Sequence, residues 1–224
     1  MSEKEERASS QEVVNFLSDR SELLTTAGLD LSVVLEDCQT LLDSATLSET
    51  QQHTAFANKL LASSASGQAL RAAYKRASGV VKMVEGYLGR DNEHVHGLHQ
   101  LRDDNLTEQK KRDFIRQIIE FLTEQTQLLS AAGFDPAETI TALTGLADTS
   151  DDKETFQHTA TVSAVIATSA SVASTAAAYK KVSETMEIVA GFLGEDHPIV
   201  REMRKIRNKK HRPDSEDGES ETSE

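Results

Sequence analysis

The residues of this chain best suited to chemistry are Glu49-Thr-x-Gln-His53-Thr-Ala and, 105 positions on, Glu154-Thr-x-Gln-His158-Thr-Ala. A glutamate and a histidine four apart share one helix face. With Asp43 and Asp148 nearby, two such pairs brought together would offer two imidazoles and four carboxylates. That donor set suits zinc, manganese or non-haem iron. Helix bundles that hold two metals use a Glu-x-x-His spacing of three, and here the spacing is four. A plainer reading competes. Thr46-x-x-Glu49 and Asp151-x-x-Glu154 fit capping boxes, in which side chains satisfy the free N–H groups of a first helical turn. Capping takes precedence, so no cofactor is expected. The metal set Glu49, His53, Glu154, His158, Asp43 and Asp148 stands as the alternative.

Other constellations are weaker. His94, His96 and His99 place two imidazoles three apart on one face, but no second cluster completes a four-ligand site. Their counterparts are Ile199, Arg201 and Arg204, which reads as surface. Tyr74-Lys75 and Tyr179-Lys180 are neighbours in sequence, and adjacent helical residues do not face each other. Basic residues concentrate at Arg201, Arg204, Lys205, Arg207, Lys209 and Lys210, near a helix C-terminus where the dipole favours cations. A nucleic-acid surface would want supporting basic or aromatic residues elsewhere, so a nucleic-acid partner is not expected. There is no phosphate-cradling glycine loop, nucleophile elbow or Cys-x-x-Cys, and the reading leans away from an enzyme.

The elements that position these residues occur twice. Residues 11–105 align on 116–210 without a gap. Phe16-Leu17 falls on Phe121-Leu122, Ala27-Gly28 on Ala132-Gly133, and Tyr74-Lys75 on Tyr179-Lys180. Each copy reads as four helices. In the first, an apolar stripe of Val13, Phe16, Leu17, Leu23 and Leu24 is matched by Ile118, Phe121, Leu122, Leu128 and Leu129. Gly28 and Gly133 close it, and Asp30 and Asp135 cap the second helix. Cys38 aligns with Leu143 and reads as a small apolar filler. The third helix spans about 47–87 and 152–192, long for a globular helix. It is lined by Ala55, Ala62 and Ala69, answered by Ala160, Ala167 and Ser174. Such small residues let helix axes approach closely. Gly89 and Gly194 end that helix, and the fourth starts at Asp91 or Asp196. Asn105 with Glu108 is expected to cap the start of the second copy.

The expected fold is all-α: a tandem repeat of two four-helix units forming an elongated pseudo-twofold bundle around long Ala/Ser-rich central helices. The two copies pack together, residues 1–8 are disordered, and so is the acidic segment 213–224, which has no apolar residue to dock it.

A net charge of −13 opposes non-specific binding to nucleic acid or anionic lipid. The charged start lacks a signal peptide's apolar core, and a lone cysteine forms no internal disulfide, so a reducing, cytoplasmic setting is expected. Thr159–Tyr179 carries no charge, yet eight of its residues are Ser or Thr, too polar for a stable membrane span. Almost every residue common to both copies is explained by a cap, a stop or a packing seam. The chain therefore reads as a non-enzymatic interaction or scaffold protein with a protein partner, self-association into a homodimer being the simplest case. A metal-binding bundle is second, and a latent membrane-inserting helical protein third.

Overall fold

The computed structural model describes residues 3–101 and 106–208. These residues form helices and connecting turns, with no strand among them. The order is α1 (Glu3–Ser18), α2 (Ser21–Thr26), α3 (Ser32–Leu88), α4 (Glu93–Gln100), α5 (Glu108–Glu124), α6 (Thr126–Ala131), α7 (Ala137–Leu193) and α8 (Pro198–Asn208). The starts of α5 to α8 each lie 105 residues after those of α1 to α4.

The glycine stops and the Asp30 and Asp135 caps are present. Gly28 and Gly133 take positive φ values of 100° and 88°. There Leu29 N–H reaches back to the Leu24 carbonyl at 2.8 Å, and Phe134 N–H to Leu129 at 2.9 Å, the six-to-one bond that closes a helix on a left-handed residue. Asp30 accepts from Ser32 N–H at 2.9 Å and Asp135 from Ala137 N–H at 3.0 Å. These bonds start the two long helices.

Three expectations are corrected. The first helix of each copy is broken: α1 ends at Ser18, and Arg20 turns back to donate to the Phe16 carbonyl at 3.1 Å while lying over the Phe16 ring. Residues 3–8, expected to be disordered, belong to α1. The second and third helices are fused in both copies: in α3 no glycine or proline interrupts 32–66 and Thr46 simply returns its hydroxyl to the Leu42 carbonyl at 3.0 Å, and α7 runs on through Gly145. Thr46 and Asp151 therefore lie inside helices and cap nothing. Two starts also move by one residue, with Asn92 capping α4 and His197 accepting from Ile199 N–H before α8. Asn105, expected as a cap, and the segment 213–224 lie outside the described residues, and Thr107 caps α5.

The chain divides into two compact units that do not coincide with the sequence copies. The first comprises Met1–Thr54 and Val165–Glu224, the second Ala55–Ala164. In the first, Val13, Leu17, Leu24 and Leu42 from α1, α2 and α3 are buried with Val182, Val189, Val200 and Met203 from α7 and α8. In the second, Leu70, Val80, Val84, Val95 and Leu98 from α3 and α4 are buried with Phe114, Ile118, Leu122, Leu129 and Leu143 from α5, α6 and α7. Each core therefore combines the early helices of one copy with the late helices of the other.

Burial along α3 follows steps of three and four through Leu35, Cys38, Leu42 and Ala45, and again through Ala62, Ser66, Leu70, Ala73 and Ala77. A seam of that period keeps one face inward over a long helix. Within the first unit, Lys181 pairs with Asp37 at 3.1 Å and Gln52 donates to Thr168 at 3.4 Å. Position rises in α3 as it falls in α7, so the two segments are antiparallel there.

Candidate functional site

The Glu-x3-His pairs fall one in each unit, Glu49 and His53 in the first and Glu154 and His158 in the second. The first-copy glutamate receives Arg7 of α1 as an ion pair. His53 Nε2 lies 3.9 Å from Glu49, with its side chain 77% exposed. In the second unit Arg112 of α5 reaches Glu154 through Nε at 3.2 Å, and Asp151 and Ser150 through Nη1 at 3.1 and 2.9 Å. Arg116 adds a second contact to Asp151 at 3.1 Å. Asp43 accepts from Gln39 at 2.8 Å, and Asp148 and His158 are exposed. Among the described residues, no three His, Cys, Asp or Glu side chains converge as ligands of one ion would.

The arginines are the part that sequence reasoning missed. Arg7 and Arg112 occupy equivalent positions, each holding the repeated glutamate of the long helix within its own unit. Their signal was the same 105-residue spacing, extended four residues upstream of the aligned copies. Arg112 is the more enclosed, 5% exposed, and its Nη2 has no partner among the described residues. A buried guanidinium is held only while carboxylates face it.

The basic concentration on α8 is balanced locally. Arg201 pairs with Asp196 at 3.0 Å, Arg204 with Glu195, and Lys205 with Glu202 at 3.7 Å. Arg207 lies 3.8 Å over the Tyr179 ring and donates to Ser183 at 2.6 Å. Lys209 and Lys210 lie outside the described residues. Of the histidine cluster, His99 lies 3.1 Å from Glu85 and His94 packs near Phe121, while His96 is exposed.

The chain matches no protein-family model, no curated protein and no solved structure. What the surface presents is therefore read from this molecule alone.

Of the expected seam, Ala62 and Ala160 are buried, while Ala55, Ala69, Ala167 and Ser174 are half-buried. The larger apolar residues beside them point outward. In the second unit Phe56, Leu60, Leu61, Phe156 and Val162 are 54%, 57%, 69%, 57% and 45% exposed. In the first, Leu47, Val165, Ile166 and Val172 are likewise exposed. Cys38 is fully buried against Thr185 at 3.3 Å, and burial pushes its thiol above the usual range. Such a thiol is inert.

Proposed function

We propose that this chain is an intracellular, non-enzymatic helical scaffold that self-associates through the apolar side chains on its long helices. The observation that carries this reading is the exposure of Val165, Ile166 and Val172 on the part of α7 in the first unit, within a stretch without charge from Thr159 to Tyr179. Clustered exposed apolar surface marks an interaction site. Full burial of a valine, isoleucine or phenylalanine contributes about 1.5–3 kcal/mol. Several half-exposed ones can therefore offset a good part of the cost of association.

The finer architecture belongs to the same proposal: a tandem repeat of a four-helix motif whose copies are related by a pseudo-twofold. It is supported by the common 105-residue offset of helix starts, of the positive-φ glycines, and of the Arg7–Glu49 and Arg112–Glu154 ion pairs.

Light scattering after size exclusion tests the scaffold reading. The full chain is expected to run above its monomer mass, and Val165→Glu with Ile166→Glu to return it to monomer. A monomer at every concentration that solubility allows removes self-association.

A second reading has its own observation. The helix α7 is long and apolar enough by composition to cross a membrane, and little of its most apolar window is buried. It would then act as a latent inserting segment. Release of dye from anionic vesicles on acidification is its signature, and intact vesicles would discard it.

A further inference from the structure

Charge is segregated along α3. Residues 32–54 carry Glu36, Asp37, Asp43 and Glu49 and no lysine or arginine. Residues 55–84, in the second unit, carry Lys59, Arg71, Lys75, Arg76 and Lys82 and no acid, in a chain of net charge −13. The α7 positions 105 residues on repeat this only in part: Lys75 and Arg76 answer to Lys180 and Lys181, but Lys59 answers to Ala164, Arg71 to Ala176 and Lys82 to Glu187. Lys59, Arg71 and Lys82 are therefore particular to this helix segment, and only there does the stretch carry no acid.

Leu61, Ser64, Gln68, Arg71, Lys75 and Lys82 follow one another at steps of three, four or seven, so they share the outward face of α3, and all are exposed. Steps of that size keep side chains in register on a helix. Leu60 is exposed beside Leu61, and Phe56 lies one turn before it with Lys59 above its ring at 5.9 Å. Among the described residues no carboxylate sits within ion-pair distance of Arg71, Lys75, Arg76 or Lys82, whereas nearby Glu85 is shared by His99 and Arg90.

We propose that this face of α3 docks on an anionic lipid surface, with Phe56, Leu60 and Leu61 entering the interface and the cations that follow them meeting headgroup phosphates. A helix with cations and large apolar side chains on the same outward side gains from both electrostatic attraction and apolar insertion at such a surface. Free phosphate or an acidic peptide satisfies the cations and leaves the leucines in water, which is why the bilayer is the better fit. The chain's overall negative charge does not prevent this. Charges on other faces are screened beyond about 8 Å at physiological salt.

The test is co-sedimentation of the full chain with phosphatidylcholine vesicles containing about a third phosphatidylserine, against phosphatidylcholine alone. Binding is expected only to the anionic vesicles, and to weaken with salt. Arg71→Gln with Lys75→Gln is expected to lower the partition roughly twenty-five-fold, at roughly fivefold per cation removed. Leu60→Ser with Leu61→Ser is expected to lower it as well, and both variants change exposed side chains, so a helical circular-dichroism spectrum equal to that of the parent checks folding. Equal binding to neutral vesicles, or none to either kind, overturns the proposal. So does a leucine variant that binds as the parent does, since the contact is then electrostatic only. Capture of a peptide corresponding to residues 213–224 by a chain that ignores the vesicles assigns the face to an acidic protein segment instead.

Discussion

Arg112 offers the most direct test of how the second unit is held. Its guanidinium is 5% exposed and contacts Ser150, Asp151 and Glu154, while the two carboxylates are 45% and 54% exposed. The partners are therefore unequal. If the arginine is removed, Asp151 and Glu154 can turn to water; if the carboxylates are removed, the cation stays enclosed. Replacing a buried ion by an apolar side chain is often neutral or stabilising, whereas stranding one costs about 3–5 kcal/mol. Arg112→Met combined with Ser150→Ala, which removes the hydroxyl it would orphan, is expected within about 1 kcal/mol of the parent. Asp151→Asn with Glu154→Gln should lose about 3 kcal/mol or more, reduced where the amides still accept hydrogen bonds. Urea unfolding followed by circular dichroism reads both, with the slope checked for constancy. If the carboxylate variant is as stable as the parent, or the methionine variant is the less stable of the two, the account of this ion pair is wrong.

Three further outcomes are expected. Gly28 sits at φ 100°, and a Cβ there would meet only the Phe192 ring at 3.7 Å, an ordinary contact. Gly28→Ala should therefore destabilise by the cost of a left-handed backbone alone, about 1–2 kcal/mol, read from the melting transition. Cys38, buried with its thiol pushed up, should react with a disulfide reagent only as the chain unfolds and at once in denaturant; rapid labelling of the native chain would contradict its placement. The Asp30 carboxyl is held below the usual range first by the Ser32 backbone N–H and then by the Ser32 side chain. Its contribution is present above the unfolded value near 3.9 and fades as pH falls through the lower folded value. Asp30→Asn should flatten the acid limb of stability there, and an unchanged limb would remove the cap from the account.

Local chemistry was legible where a single residue decides it. Gly28, Gly133, Asp30 and Asp135 act where the sequence places them, because a left-handed turn or an N-cap depends on few neighbours. Thr46 and Asp151 mislead for the same reason. Each resembles a cap, but nothing beside it breaks the helix, and continuous burial on either side carries α3 and α7 through. The partner of Glu49 was hidden because Arg7 lies in a charged stretch with no apolar stripe to announce a helix. The pairing of early helices from one copy with late helices from the other was not legible at all, since both copies carry the same pattern and either choice of partner satisfies it.

That exchange has a consequence for the chain's covalent economy. A polypeptide holding only one copy would own half of each interior, and could complete neither without meeting its twin. Joining the copies end to end fixes their ratio at one to one and makes a concentration-dependent encounter into a dilution-proof one. The two halves expressed as separate chains are accordingly expected to gain helix only as concentration rises, each with a second copy of itself or with the other half on mixing, whereas folding of the intact chain's two interiors should not depend on its concentration.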